Sequence, residues 1–374
     1  MWDSFDPSWR LLRQSVQSWL ESAHPRTSAR TYEASGHYGP AFVQSMIASG
    51  WLGLGIAEEH GGANSPLADR LIVERELARA LCGPLFASQC IAADVVAEFG
   101  TATQQAALLP AMARGEELVA VAWSGERGDW RNPADGASLS PSSRLTARRP
   151  FVRDIPNCTS ILCFAEKGGL TVAALIPLAN PGIKLTAIQA LDGPAHSVVM
   201  EATVPAERVL AAGDRTALER VIASARLTAA AELLGYCDLM CELTWRYVQQ
   251  RQQFGRPIAS FQMIQERCAD MADCLAEAEA AIWMAASVHE PTTDLALTTK
   301  AIVSSLANRV MMNGMESHGG MSSMSEYDAN IPFRRGKAAE LSWGSAADLT
   351  EQLAARADPT ALDVPWVREL FVLA

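Results

Sequence analysis

The spacing of apolar residues changes twice along this chain of 374 residues. Up to about residue 117 apolar residues recur every three or four positions, which is typical of helices that bury one face. One such stripe consists of Trp9, Leu12, Val16 and Trp19. Residues 118–211 hold short alternating or β-rich runs separated by Gly, Pro and Asn, and the helical spacing returns from residue 212. We therefore predict an α+β protein with an N-terminal helical domain (1–117), a central antiparallel β domain (118–211) and a C-terminal helical domain (212–374).

Local signals place several elements within these domains. The predicted strands are Leu118–Trp123, Thr159–Phe164, Gly169–Leu178, Ile183–Ala190 and Ser197–Val204. The stretch Asp135–Ser143 is rich in Ser and Pro, which indicates an irregular or mobile loop. Thr101 stands three residues before Gln104, and this pair predicts a capping box at the start of a helix.

A corner near the start of the C-terminal third carries the first candidate chemistry. Two long helical patterns, Leu218–Gln250 and Met263–His289, flank a segment that contains Gly255 and Pro257, so we predict a short reversal between two helices. The segment also holds Arg251, Phe254 and Gln262. An Arg offers a fork of donors suited to phosphate, and a Phe offers a flat face for a ring. A solvated Arg on a tight helical hairpin is the alternative interpretation.

Charge and cysteine content exclude several classes of function. The net charge of −11 argues against a nucleic-acid-binding surface, which requires clustered Lys and Arg. The eight cysteines show no zinc-ligand spacing, so we predict no metal site and reduced thiols in a cytoplasmic protein. Met1–Asp6 shows no features of a signal peptide, and no apolar run approaches membrane-spanning length.

The corner resembles the signature of the acyl-CoA dehydrogenase family, and the resemblance extends over most of the chain. It implies the family's three-part architecture, which ends in a C-terminal four-helix bundle. In that family the Arg, Phe and Gln of the corner reach the FAD of a neighbouring subunit, and a second segment about sixty residues later does the same. The implied FAD-binding residues are Arg251, Phe254, Gln262, Glu316, Gly319 and Gly320. Glu316 departs from the usual Gln, and its carboxylate would repel a diphosphate unless it turns to the ribose or pairs with an Arg.

The segments that would hold a flavin in this subunit's own β domain depart from the family pattern. The family has a loop rich in hydroxyl groups after its first strand, whereas this chain has Ser124–Pro133. The family also has a strand in which an aromatic residue covers the flavin and a Thr hydroxyl bonds it. The nearest match is Phe151–Asp154, where Arg153 stands in place of the Thr. The resemblance therefore implies a poorly furnished flavin site in this subunit.

The catalytic base of the family is also missing. Family members abstract a proton with a Glu at one of two positions, and here those positions hold Trp343 and Ala225. Neither side chain accepts a proton at neutral pH, so we assign no catalytic residue. Glu340 is expected to pair with Arg335 or Lys337 instead of replacing the base. Glu232 and Glu242 are expected to be solvated or paired. We interpret Trp343 as a plug in a retired pocket, with a lining for a bulky flat substrate as the alternative.

These features lead to three hypotheses. The first is a non-catalytic subunit of a hetero-oligomeric (α2β2) FAD-dependent acyl-CoA dehydrogenase, which completes the FAD site of a homologous, Glu-bearing partner. That partner would bind most of the acyl-CoA, and by analogy with bacterial two-gene enzymes the thioester would derive from a steroid. The second is a homo-oligomeric flavoprotein with altered chemistry and no Glu base. The third is a binding or scaffold protein without flavin, which the retained Arg251, Phe254 and Gln262 make less attractive.

Overall fold

A computed structural model describes residues 7–23, 27–211, 214–288 and 291–356, and its N-terminal part is helical. The helices are α1 (Pro7–Ala23), α2 (Thr27–Ser35), α3 (Pro40–Ala48), α4 (Leu67–Arg79), α5 (Leu85–Phe99) and α6 (Ala102–Ala113). The segment Met1–Asp6, on which the expected lack of a signal peptide rests, lies outside the described residues. Helices α4 and α5 are buried along most of their length, because they lie between the other helices and the rest of the molecule.

The capping box predicted at the start of α6 is confirmed. The Thr101 side chain accepts a hydrogen bond from the backbone N–H of Gln104, and the Gln104 side chain accepts one from the backbone N–H of Thr101. Two backbone donors that helix geometry leaves without partners are thereby satisfied.

We expect Thr101→Ala to lower the free energy of unfolding by about 1 kcal/mol, because the helix loses its N-terminal cap. Thr103→Ala is the matched control, since Thr103 is also exposed but lies inside the helix. Thermal melting of both variants checks the prediction. Equal melting temperatures would show that the cap does not stabilise α6.

A seven-stranded sheet follows the helices. Its strands are β1 (Val119–Ala122), β2 (Ala137–Leu139), β3 (Arg144–Arg153), β4 (Ser160–Lys167), β5 (Leu170–Pro177), β6 (Ile183–Ala190) and β7 (Gly193–Thr203). Their order is β1-β4-β2-β3-β7-β6, with β5 paired to β4. The sheet is mixed instead of purely antiparallel as predicted, because β4 runs parallel to both β1 and β2. The chain between β1 and β4 makes a long excursion through β2 and β3, and such a connection permits parallel pairing.

Strand β2 and the first part of β3 were not predicted, although the resemblance matched Phe151–Asp154 to a strand of the family. The stretch expected to be irregular, Asp135–Ser143, contains β2. The first part of β3 was missed because of Arg149. This charged residue is fully buried at an inward-facing position of β3. Its guanidinium donates to the backbone carbonyls of Asp135, Pro133 and Phe164 at 2.7, 2.7 and 2.8 Å. A buried arginine with carbonyl partners therefore fixes the loop that precedes β2, whereas its charge breaks the apolar alternation in the sequence.

The C-terminal part consists of helices around one long central helix. They are α7 (Arg215–Gln250), α8 (Gln262–Ala286), α9 (Thr293–His318), α10 (Asn330–Leu341) and α11 (Ala346–Arg356). Helices α7 to α10 share one apolar core, to which α4 also contributes, and α11 packs on α9. The predicted family fold of helices, central sheet and helical domain is confirmed, whereas the predicted boundaries at 117 and 211 remain a prediction.

Two expectations about the chain's environment concern thiols and membranes. All eight cysteines are free, and six of them are buried. Among the described residues no helix is long and apolar enough to cross a bilayer.

Candidate functional site

A cavity of about 410 Å³ lies where the sheet meets the helices. Its walls come from α5, the residues after β1, the end of β3, the turn between β6 and β7, and the helices α7 and α10. Trp343 and Ala225 both line this cavity, although 118 positions separate them in the sequence. The two positions at which the resemblance places a base thus face one space, and neither carries a proton acceptor.

Trp343 forms one wall of the cavity together with two other indoles. Its ring lies 4.7 Å from that of Trp123 and 4.8 Å from that of Trp130, and Trp343 is only 6% exposed. Its backbone adopts a φ of 63°, which is rare for a bulky side chain, and Arg226 donates to its carbonyl at 3.2 Å. Trp343 therefore narrows the cavity without filling it.

Two of the three carboxylates considered as substitute bases are engaged in ion pairs away from the cavity. Glu340 is buried and accepts hydrogen bonds from Lys337 Nζ at 2.7 Å and from the backbone N–H of Ala346 at 3.1 Å. Glu242 pairs with Arg79 at 2.6 Å and with Arg246 at 2.8 Å. Neither lines the cavity, which agrees with the interpretation of both as paired residues.

Glu232 differs from these two, because it is buried and lines the cavity. Its Oε1 accepts a hydrogen bond from the Tyr236 hydroxyl at 3.1 Å and lies 3.8 Å from Arg153 Nη1. The same Arg153 nitrogen donates to Asp192 Oδ2 at 3.0 Å. Burial and the charge of Glu232 raise the pKa of the neighbouring Glu74 well above its usual value. A charged cluster thus lines the same cavity as the three indoles.

Sequence reasoning missed this cluster, because its members come from distant parts of the chain. In the sequence, Arg153 stood out as an arginine where the family has a Thr and Glu232 as a carboxylate in the long helical pattern, but nothing linked the two to each other or to Asp192. Of the two expectations for Glu232, solvated or paired, the second holds: its side chain is buried and lies 3.8 Å from Arg153. The available signal was the spacing between Ala225 and Glu232. Seven positions are about two helical turns, so Glu232 lies on the same face of α7 as Ala225.

The residues of this cavity do not fit a flavin ring. The family has a Thr hydroxyl that bonds the ring at this position, whereas here Arg153 is engaged by the carboxylates of Asp192 and Glu232. The charged side chains of the preceding loop are paired: Glu126 with Arg148 at 3.1 Å, and Asp129 with Arg131 at 2.9 Å. The geometry agrees with the expectation of a poorly furnished site.

The corner after α7 is a two-residue hairpin. Gln252–Gln253 pairs with Arg256–Pro257, and the turn residues Phe254 and Gly255 have φ values of 53° and 76°. Positive φ at both central positions defines a type I′ turn, which costs little for Gly but is strained for Phe. Phe254 is nevertheless 91% exposed, and its ring lies 6.1 Å from that of Phe261 in an edge-on arrangement. The predicted reversal between two helices is present.

The second predicted segment lies at the same end of the helices as this hairpin. Tyr247, one turn before the end of α7, packs its ring 4.5 Å from that of His318, the last residue of α9. His318 is buried, and burial lowers its pKa to about 4, so its ring is a neutral structural group between Thr244 and Tyr327. Gly319 and Gly320 follow it directly and are exposed.

The six residues that the resemblance assigns to a neighbour's cofactor lie on the surface. Arg251, Phe254, Gln262, Glu316, Gly319 and Gly320 are all exposed. A Cβ added at Gly319 or Gly320 would meet no atom within 4 Å, so a ligand can approach the backbone there. Glu316 pairs with Arg267 of α8 at 2.5 Å, and this ion pair answers the objection that its carboxylate would repel a diphosphate. These six assignments as cofactor-binding residues stay a prediction.

Among the described residues, no cluster of three or more His, Cys, Asp or Glu could hold a metal ion.

We expect Gly319→Ala to lower the free energy of unfolding by about 1–3 kcal/mol, because its φ of 64° and ψ of −149° are accessible only to Gly. Gly320→Ala is the matched control, because Gly320 has equally open surroundings but no positive φ. Thermal melting distinguishes the two variants. A Gly319→Ala protein as stable as the control would contradict a strained backbone at the end of α9.

Comparisons with known proteins agree with these observations. Residues 6–116 match the N-terminal domain of acyl-CoA dehydrogenases, and residues 212–357 match the C-terminal domain. The chain is 27% identical to an acryloyl-CoA reductase (NADH) of Anaerotignum propionicum over 81% of this chain and 82% of that protein. It is 28% identical to the acyl-CoA dehydrogenase IpdE2 of Mycobacterium tuberculosis over 80% of this chain and 86% of that protein. A solved steroid acyl-CoA dehydrogenase, Tcur3481-Tcur3483, superposes with a TM-score of 0.83 at 23% identity, covering 93% of this chain and 97% of that one.

Proposed function

The chain belongs to the acyl-CoA dehydrogenase family, whose members are FAD-dependent oxidoreductases, and from that premise we propose that it is the non-catalytic subunit of a hetero-oligomeric member. In this proposal the chain completes the FAD site of a homologous subunit that carries the catalytic Glu. The complex oxidises an acyl-CoA at its α,β-bond.

The contrast between the two ends of the C-terminal helices carries the proposal. The cavity that a catalytic subunit would use has Trp343 and Ala225 in place of a base, and it has Arg153 where a flavin would need a hydroxyl. The exposed end of the helices, in contrast, keeps most of the residues that the family uses for a neighbour's cofactor, with Glu316 as the departure. A chain that lost flavin chemistry altogether would have no reason to retain Phe254 in a strained and exposed turn.

The residues of this exposed end bind and orient the cofactor. Arg251 offers parallel N–H donors to a phosphate, Phe254 covers a ring face, and Gln262 contributes an amide. Gly319 and Gly320 bring backbone amides close to the nucleotide and leave room for it. When bound, FAD accepts the hydride that leaves the β-carbon of the acyl group. This chain's contribution is to hold that cofactor in place and to exclude water from its nucleotide end.

Exposed apolar side chains around the same end support a protein partner there. Apart from Phe254 they are Met263, Met312, Met321 and Met324. Methionine is adaptable at binding surfaces, and clustered exposed apolar residues mark interfaces. The name of the steroid enzyme pairs two proteins, which supports a heteromeric arrangement here, and we propose α2β2.

The substrate proposal rests on the relatives. The two curated relatives described above are named for reactions of acyl-CoA thioesters, and one of the similar solved structures is a steroid acyl-CoA dehydrogenase. We propose a steroid-derived acyl-CoA, bound mainly by the partner, and a role in lipid or steroid catabolism. The eight free thiols suit a reducing compartment, so we place the protein in the cytoplasm.

One observation favours a second candidate function, a homo-oligomeric flavoprotein with altered chemistry. The cavity behind Trp343 has not collapsed, and its aromatic walls suit a flat ligand. This candidate predicts that the chain purifies alone as a yellow protein.

Turnover measurements separate the two candidates. The isolated chain and its complex with a Glu-bearing partner are each supplied with acyl-CoA and an artificial electron acceptor. We expect turnover from the complex and none from the isolated chain. Substrate-dependent bleaching of a flavin in the isolated chain would support the second candidate and contradict the first.

A further inference from the structure

Arg153 connects three parts of the molecule across the cavity. It is the last residue of β3, and its guanidinium reaches Asp192 in the turn between β6 and β7 and Glu232 on α7. The side chains of Asp192 and Glu232 are each only 6% exposed. Buried carboxylates persist when a cation and hydrogen bonds compensate for lost hydration, and Arg153 supplies that cation at both.

The charges around Arg153 show how strongly it is held. Burial by itself would lower the pKa of Arg153, but the carboxylates of Glu232 and Asp192 outweigh burial and raise it. Glu74, from α4, adds a further acidic group beside Glu232, and the buried Lys300 of α9 adds a cation whose charge interacts with Glu232. Removing Arg153 alone would leave Asp192 and Glu232 without their shared partner.

Resting on the function proposed above, we propose that Arg153, Asp192 and Glu232 form a brace that takes the place of a flavin ring in this subunit. The brace holds the sheet against α7. It also engages the end of β3, where the family binds the flavin ring, in ion pairs. Because the cavity still measures about 410 Å³, these three residues, and not a collapse of the space, abolish flavin binding.

Titration with lumiflavin, the three-ring part of FAD without its nucleotide, tests the brace. The complex is prepared as wild type and as the triple variant Arg153→Thr, Asp192→Asn, Glu232→Gln, which removes the three charges together and keeps two of the side-chain shapes. Quenching of the tryptophans around the cavity reports binding. We expect the triple variant to bind lumiflavin about tenfold more tightly than wild type or better. Adding Arg251→Ala must leave this binding unchanged, because the new site does not use the exposed end.

Melting temperatures test the brace even if the triple variant folds poorly. Arg153→Thr alone leaves buried carboxylates unpaired, whereas Arg153→Thr with Glu232→Gln removes part of that cost. The double variant is therefore expected to melt at a higher temperature than the single variant. A double variant that melts no higher would overturn the brace.

The lumiflavin outcomes also separate this inference from the proposed function. If the folded triple variant binds lumiflavin no more tightly than wild type, the brace is overturned. The proposed function fails by a different result: the chain forms no complex with a Glu-bearing subunit, or the complex shows no turnover, although the triple variant gains lumiflavin binding.

Discussion

Replacing Arg251 with alanine is expected to weaken FAD binding by the complex about 10- to 100-fold, because hydrogen bonds to charged groups contribute about 1.5–3 kcal/mol each. Arg251 is exposed directly after α7, so its loss leaves the packing of the chain unchanged. Fluorescence titration of the cofactor-free complex with FAD measures the effect. Because the chemistry belongs to the partner, turnover at saturating FAD should recover.

Arg246→Ala is the matched control for this experiment. Arg246 is exposed on the last turns of α7 and pairs with Glu242 at 2.8 Å, so its removal changes the net charge equally without touching the hairpin. We expect FAD affinity within about twofold of wild type, since exposed ion pairs contribute at most about 1 kcal/mol. Equal losses in the two variants would mean that general electrostatics, and not a contact from Arg251, attracts the cofactor.

Trp343→Ala is expected to lower the free energy of unfolding by about 3–5 kcal/mol, the usual cost of removing a buried indole. The substitution removes the ring contacts to Trp123 and Trp130 and enlarges an existing cavity. Turnover per bound FAD should stay at the wild-type value at a temperature where the variant is folded, because the proposed active site lies in the partner. Thermal melting and turnover on the same preparation measure both quantities.

Trp343→Phe is the control for this variant, since it keeps a ring at the same position and should lose less stability than the alanine. A well-folded Trp343→Ala complex with strongly reduced turnover would contradict a purely structural tryptophan. It would favour a role for this cavity in substrate binding.

The parts of the structure that the sequence predicted depend on local signals. The Thr101 cap needs only Gln104 three residues later, and the reversal at Gly255 follows from a turn signal between two long helical patterns. The three-part fold follows from apolar spacing and the family signature, both of which persist over many residues. Such features can be predicted because neighbouring residues determine them.

The unpredicted parts depend on contacts between distant residues. Arg149 was not recognised as a core residue of a strand, because a buried arginine interrupts apolar alternation. Its carbonyl partners also lie on two other segments. The brace brings Arg153, Asp192 and Glu232 together from β3, a turn and α7. Likewise, Glu316 of α9 pairs with Arg267 of α8. The sequence showed a carboxylate that would repel a diphosphate, but it did not show this partner. Buried ion pairs of this kind have no periodic pattern in the sequence.

The most direct test of the central claim is the mass and FAD content of the wild-type complex. The chain is co-expressed with a homologous Glu-bearing subunit, and the purified assembly is weighed by native mass spectrometry while its flavin absorbance is compared with its protein concentration. An α2β2 assembly with one FAD per heterodimer is the predicted result. A stable homo-oligomer of this chain with one FAD per subunit would contradict the account, because its cavity would then hold the flavin that Arg153 is proposed to exclude.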